Sequence, residues 1–135
     1  MKKALPILVA VILVVAGAAY VFLSKPAAAP EAKPVFYSPG DPFITNVKDS
    51  NHLLKVSLVL VLDDNKATKT LLEQLNLRNA EVRDTVLFIL RDLTADEISA
   101  TTAQDDLREQ IRTALNDKMD TQEIKGILFN DFVMQ

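Results

Sequence analysis

The sequence predicts an α+β fold, in which a single N-terminal transmembrane helix precedes an exported domain with a small antiparallel-rich sheet packed by helices. Three observations support this prediction. Residues 4–23 contain no charged side chain. Residues 53–62 show the two-residue period of a strand, and residues 66–119 carry apolar side chains at helical spacing. A chain of 135 residues has room for one ordinary domain besides the anchor.

The apolar stretch at residues 4–23 is interpreted as a membrane anchor. At about 1.5 Å per residue it spans about 30 Å as a helix, the thickness of the hydrocarbon core. The alternative is a cleaved signal peptide, but Pro30 directly follows the Ala-x-Ala candidate at 27–29 and disfavours cleavage. Lys2 and Lys3 precede the span, so the positive-inside rule places residues 1–3 in the cytoplasm and exports the rest.

A spacer is predicted between the anchor and the domain, over residues 24–37. Pro26, Pro30 and Pro34 recur every fourth residue among alanines, and this pattern excludes a stable helix. The extracytoplasmic domain is therefore expected to comprise residues 38–135.

The charge and composition of the domain restrict its function. Residues 1–37 carry a net charge of +3, whereas residues 38–135 carry 11 basic and 17 acidic side chains. An acidic domain lacks the electrostatic footprint of a nucleic-acid-binding protein. The chain has no cysteine, a single histidine, His52, and no nucleophile or phosphate-binding motif. We therefore expect no enzyme activity, no catalytic residue, no cofactor and no metal.

Two antiparallel strands, Phe43–Val47 and Leu53–Leu62, are predicted to form a hairpin. Alternate leucine and valine side chains line one face of the longer strand. The other face ends in Val59 and Val61 and must also be covered. We favour a helix of the same domain as the cover, and a neighbouring copy of the protein is the alternative.

Helices are predicted from Lys66, over Asn79–Leu93, after a capping box at Thr94, and over Ala103–Met119. Leu87 and Phe88 widen the apolar stripe of the second helix, so we expect much of its surface to be buried.

Arg83 and Asp84 interrupt that stripe near the start of the second helix. They are interpreted as a satisfied ion pair, with an inter-subunit contact as the alternative.

A last strand is predicted from Ile124 to the C-terminus, with a bend or bulge permitted by Gly126. Strict alternation would place Phe129 and Phe132 on opposite faces. Because the strand runs to the final residue, we expect the C-terminus to be held in the sheet.

The anchor and Pro-rich spacer are followed by a series of sequence blocks: PFITNV at 42–47, LLKVSL at 53–58, EVRDTV at 81–86, LREQIRTALN at 107–116 and FNDFVMQ at 129–135. In their order and spacing, these features resemble the FliL family of flagellar basal-body-associated proteins over essentially the whole chain.

The resemblance implies a protein of the cytoplasmic (inner) membrane, close to the flagellar basal body, that associates with the ion-driven stator of MotA/MotB type. It implies support of flagellar rotation, swarming and chemotactic motility. It also implies a domain similar to the stomatin-type (SPFH) domain, with copies forming a ring.

Function is accordingly expected to rest on contacts with stator subunits and with further copies of the chain. The candidate contact residues are Phe43, Val59, Val61, Arg83, Asp84, Phe129 and Phe132. The alternative function is a membrane-anchored solute- or peptide-binding module of the envelope, unrelated to motility.

Overall fold

A computed structural model of the protein describes residues 33–135. The predicted anchor at 4–23 and most of the predicted spacer lie outside these residues. Within the described part of the chain, no helix combines the length and apolar character needed to cross a membrane.

Four strands and four helices make up the described domain. In chain order the elements are β1 (Pro34–Tyr37), β2 (Phe43–Asn46), β3 (Leu53–Asp63), α1 (Lys66–Leu77), α2 (Asn79–Arg91), α3 (Ala95–Ser99), α4 (Ala103–Met119) and β4 (Ile124–Met134). This arrangement confirms the α+β class.

The sheet is antiparallel throughout and is built around β3. β1 and β2 pair with opposite ends of β3 along one of its edges, and β4 pairs with its other edge. The predicted hairpin is confirmed, since Ile44 pairs with Lys55 across the turn that joins β2 to β3.

The alternating side chains of β3 are buried as expected. Leu54, Leu60 and Leu62 are fully enclosed, and the helices pack against this face of the sheet. The core also includes one apolar stripe from each of the long helices α1, α2 and α4. The residues of these stripes are Leu71, Leu75, Val82, Val86, Leu90, Leu107, Ile111, Leu115 and Met119.

β1 lies inside the stretch that was predicted to be spacer, so the predicted boundary at residue 38 is wrong. Tyr37 is buried, its hydroxyl donates to the Leu75 carbonyl at 2.9 Å, and it accepts from the Asn79 amide at 2.9 Å. Val35, Phe36 and Tyr37 are apolar, but they directly follow the Pro/Ala-rich run. Three residues are too few to show the alternation of a strand, so the sequence does not separate β1 from the spacer.

β4 departs from strict alternation at two bulges, one of which lies beside Gly126 as predicted. The second leaves Asn130 without a partner on β3, because Phe129 pairs with Leu58 and Asp131 pairs with Ser57. The extra residue puts Phe129 and Phe132 on the same face of the sheet, whereas alternation had placed them on opposite faces.

The C-terminus is held in the sheet, as predicted. The Leu53 N–H donates to the Gln135 carbonyl at 2.8 Å, and the Gln135 N–H donates to the Leu53 carbonyl at 2.8 Å. β4 is thus anchored up to the last residue of the chain.

α2 is less buried than predicted. Val82, Val86 and Leu90 form its inner stripe, but Phe88 is exposed and Leu87 is only half-buried. The stripe widened by these two residues therefore reaches the surface of the domain.

Candidate functional site

The second face of the sheet, called here the open face, is left uncovered by the described helices. β1, β3 and β4 bring together Phe36, Val59, Val61 and Leu128 there, since Phe36 pairs with Val61 and Val59 pairs with Leu128. Phe36 is 55% exposed and Leu128 is 46% exposed. The favoured expectation that a helix of the same domain covers Val59 and Val61 is therefore wrong.

Polar side chains cross the middle of the open face. Lys55 on β3 forms an ion pair with Asp131 on β4 at 2.8 Å, and Ser57 lies between them and the apolar cluster. An ion pair of this exposure contributes little stability. The ion pair separates the apolar cluster from a second group of exposed apolar residues, namely Ile44, Leu53 and Val133.

Arg83 fixes the loop between β1 and β2. Its Nη1 donates to the carbonyls of Pro39 at 3.2 Å and Asp41 at 2.8 Å, and its guanidinium lies 4.4 Å from the centre of the buried Phe43 ring. Gly40, between the two carbonyls, has φ +105, a conformation that favours glycine. Arg83 is therefore occupied by its own domain.

The predicted ion pair of Arg83 with Asp84 is not formed. Adjacent residues of a helix point in different directions, and among the described residues Asp84 takes part in no salt bridge. Asp84 lies exposed on α2.

Phe129 and Phe132 pack on the core side of the sheet. Their rings lie 5.3 Å apart, both contact the core, and the Arg108 guanidinium lies 5.2 Å from the Phe129 ring centre. These contacts account for both aromatic side chains within the domain.

Asn116 is a buried polar residue that joins α4 to β4. It is 3% exposed; its amide donates to the Ile124 carbonyl at 3.0 Å, and its carbonyl oxygen accepts from the Ile124 N–H at 3.2 Å. The single side chain therefore satisfies both backbone groups of the residue that begins β4. The sequence marked Asn116 only through the family resemblance.

Several titratable groups of the described region form surface ion pairs or cap a helix. Glu97 accepts from the Thr94 N–H and hydroxyl, both at 2.8 Å, which confirms the predicted capping box. The backbone bond from Thr94, with the hydroxyl bond as the second cause, lowers the pKa of Glu97. Across residues 33–135, no group of three or more His, Asp or Glu side chains is arranged to hold a metal ion.

Sequence reasoning missed Phe36, Ile44 and Leu128 as surface residues. Ile44 and Leu128 alternate with buried neighbours, but alternation alone does not say which face of a sheet the helices cover. Phe36 falls within the predicted spacer, and no pattern in the sequence indicates that it pairs with Val61.

The fold and these surfaces define a small α+β domain whose distinctive feature is an uncovered apolar sheet face. A family model described as "Flagellar basal body-associated protein FliL" matches residues 36–135. The chain belongs to the FliL family, as the resemblance implied. It is also similar to the "Flagellar protein FliL" of Aquifex aeolicus (strain VF5), with 24% identity over 110 residues, which cover 82% of this chain and 67% of that protein.

Proposed function

We propose that the protein is a non-enzymatic accessory protein of the flagellar motor that associates with the basal body and with stator subunits of MotA/MotB type. In this role it supports flagellar rotation, swarming and chemotactic motility. Membership of a flagellar basal-body-associated family, matched over residues 36–135, is the observation that carries the proposal.

The proposed arrangement is a single-pass protein of the inner membrane, with its N-terminus in the cytoplasm and an SPFH-like domain outside. Copies of that domain form a ring around the stator. Repeated head-to-tail contacts close into a ring when the rotation between neighbours allows it. Preferential binding to the stator's extended, ion-conducting state would then favour that state.

The open face is the contact surface that we propose for this role. Phe36 and Leu128 join Val59 and Val61 in one apolar cluster on three neighbouring strands. Apolar side chains that converge in this way mark interaction surfaces more often than single exposed ones do. Among the other candidates only Asp84 remains free for contacts, because Phe43, Arg83, Phe129 and Phe132 are used within the domain.

Val59→Asp tests the open face. An unpaired carboxylate buried in an interface costs at least about 3 kcal/mol, so binding should weaken by about a hundredfold or more. Because Val59 is half-buried on the open face, the variant should stay folded. We expect a strain that carries it in place of the native chain to spread poorly on soft agar and to recover fewer crosslinks to stator subunits.

Leu77→Asp is the matched control, because Leu77 is 86% exposed at the end of α1, outside the open face. It should leave motility unchanged. Normal motility of the Val59→Asp strain would contradict the open face as the contact surface. Normal motility of a strain that lacks the chain altogether would contradict the flagellar role itself.

A further inference from the structure

A groove runs between β2 and α2, toward the other end of β3 from the apolar cluster of the open face. Two adjacent depressions of about 460 and 410 Å³ share Ile44 and Leu87 in their walls. They therefore form one continuous channel, called here the β2–α2 groove.

One wall of the groove is a free strand edge. The Val47 N–H donates to the His52 carbonyl at 2.9 Å, in register with the β2–β3 pairing. Bonded and non-bonded pairs alternate in an antiparallel ladder, so Phe43 and Thr45 direct their backbone groups toward β3. Ile44 and Asn46 direct theirs into the groove, where Asn46 has only a weak local contact from the Thr45 hydroxyl at 3.4 Å.

The same edge is already paired one step further on. The Lys48 N–H donates to the Leu93 carbonyl at 3.0 Å, and Lys48 forms a parallel bridge with Thr94. An added strand beside Ile44 and Asn46 would therefore extend a ladder that the chain itself begins after α2. This is the geometry of peptide recognition by strand addition.

The side chains of the groove indicate what kind of segment fits. Ile44 is 63% exposed, and it lines the groove together with Leu87. Three basic residues and one acidic residue line the groove, and they are Lys48, Arg83, Arg91 and Asp84. This is a locally basic stretch on a domain with more acidic than basic side chains.

Arg91 carries the charge that is available to a ligand. Lys48 is paired with Asp92 at 2.7 Å, and Arg83 binds the β1–β2 loop. No carboxylate between residues 33 and 135 forms a salt bridge with Arg91. An acidic side chain near Arg91 would thus gain an unshared partner.

Other segments of this chain match the groove poorly. Residues 24–33 carry Lys25 and Lys33 against one glutamate, and prolines at every fourth residue remove ladder donors. The free edge of β4 in a second copy is interrupted by two bulges, and its one carboxylate, Asp131, is already paired with Lys55 at 2.8 Å. Both features favour a segment of another protein.

We propose that the β2–α2 groove binds an extended acidic segment of a partner protein as an added strand. The segment pairs its backbone with Ile44 and Asn46, places an apolar residue on Ile44 and Leu87, and directs a carboxylate to Arg91. This goes beyond the proposed motor role and does not depend on it.

The test uses the full-length chain, isotope-labelled in detergent micelles, and a synthetic peptide of alternating threonine and valine that ends in two glutamates. We expect the peptide to shift the amide resonances of Ile44 and Asn46 and to slow their hydrogen exchange. Ile44→Pro removes an edge donor without breaking a bond to β3, so affinity should fall about tenfold. Ile44→Val keeps the donor and is the matched control.

Two further probes leave the protein unchanged, so they remain valid if Ile44→Pro folds poorly. The same peptide with alternate backbone amides methylated should fail to bind, and the peptide that ends in two lysines should bind several-fold more weakly. Equal binding of either probe overturns the proposal. A photoreactive residue at Asp84 that crosslinks in cells to a second copy, and not to an acidic segment of another protein, also overturns it.

Discussion

Asn116 shows how one buried polar side chain decides a local structure. Its amide forms two bonds with the backbone of Ile124, where the chain leaves the loop after α4 and enters the sheet. A buried backbone group without a partner is costly, so the start of β4 depends on this side chain.

Asn116→Leu should therefore destabilise the domain by about 2–4 kcal/mol, because it leaves the N–H and the carbonyl of Ile124 unpaired. Urea unfolding measures the loss. Asn116→Asp keeps an acceptor for the Ile124 N–H but places a second oxygen atom against the Ile124 carbonyl oxygen. It should therefore also destabilise the domain. An Asn116→Leu variant as stable as the native chain would show that other groups satisfy Ile124.

Glu97 makes stability depend on acid pH. Its hydrogen bonds from Thr94 lower its folded-state pKa below the unfolded value of about 4.3. The stabilisation that the ionised Glu97 side chain gives to the folded domain is therefore complete above the unfolded pKa. It is lost as the pH falls through the folded-state pKa.

Glu97→Gln should be less stable than the native chain at neutral pH, and the difference should shrink below about pH 4. Urea unfolding midpoints of both proteins, measured from neutral pH to below pH 4, show whether the difference in stability shrinks as expected. Glu73→Gln on α1 removes the same charge without a capping box, so its difference from the native chain should not follow this course. If the difference in stability between Glu97→Gln and the native chain did not change with pH, the ionised capping carboxylate would be excluded as the cause of that difference.

At the scale of elements, β4 combines a role in the core with a role at the surface. Its bulges turn Phe129 and Phe132 toward the core and Leu128 toward the open face. The last pairing, between Leu53 and Gln135, holds its end.

Removal of Gln135 should raise the hydrogen-exchange rate of the Leu53 amide by about tenfold or more, since its acceptor is lost. Gln135→Ala keeps the backbone bonds and should leave the rate close to native. Exchange followed by NMR distinguishes the two. Equal protection in the shortened chain would mean that Leu53 finds another acceptor.

At the scale of the whole molecule, β1 ties the N-terminal edge of the sheet to the helices. Tyr37 is buried and bonds to Leu75 and Asn79 at the junction of α1 and α2. The folded unit therefore begins before residue 38.

A fragment of residues 38–135 should be less stable than one of residues 33–135 by about 3–5 kcal/mol, the usual cost of deleting a large buried aromatic side chain. Chemical unfolding of both fragments tests the boundary. Tyr37→Phe in the longer fragment should cost only the hydroxyl bonds, about 1–2 kcal/mol. Equal stability of the two fragments would restore the boundary predicted from the sequence.

Periodicity and capping patterns in the sequence determined the class of fold, the four helices, the hairpin and the pinned C-terminus. These signals are local, because a strand or helix repeats its own burial pattern and a cap lies within one turn. Val59 and Val61 were identified as apolar residues that need a partner by the same local argument.

Which surfaces stay open depends on how the elements pack against one another. The helices cover one face of the sheet, the bulge at Asn130 reverses the sides of the residues after it, and Arg83 bonds to a loop that is distant in sequence. These outcomes depend on contacts between residues far apart in the chain. A pattern read along the chain carries no information about which of two apolar faces another element will cover.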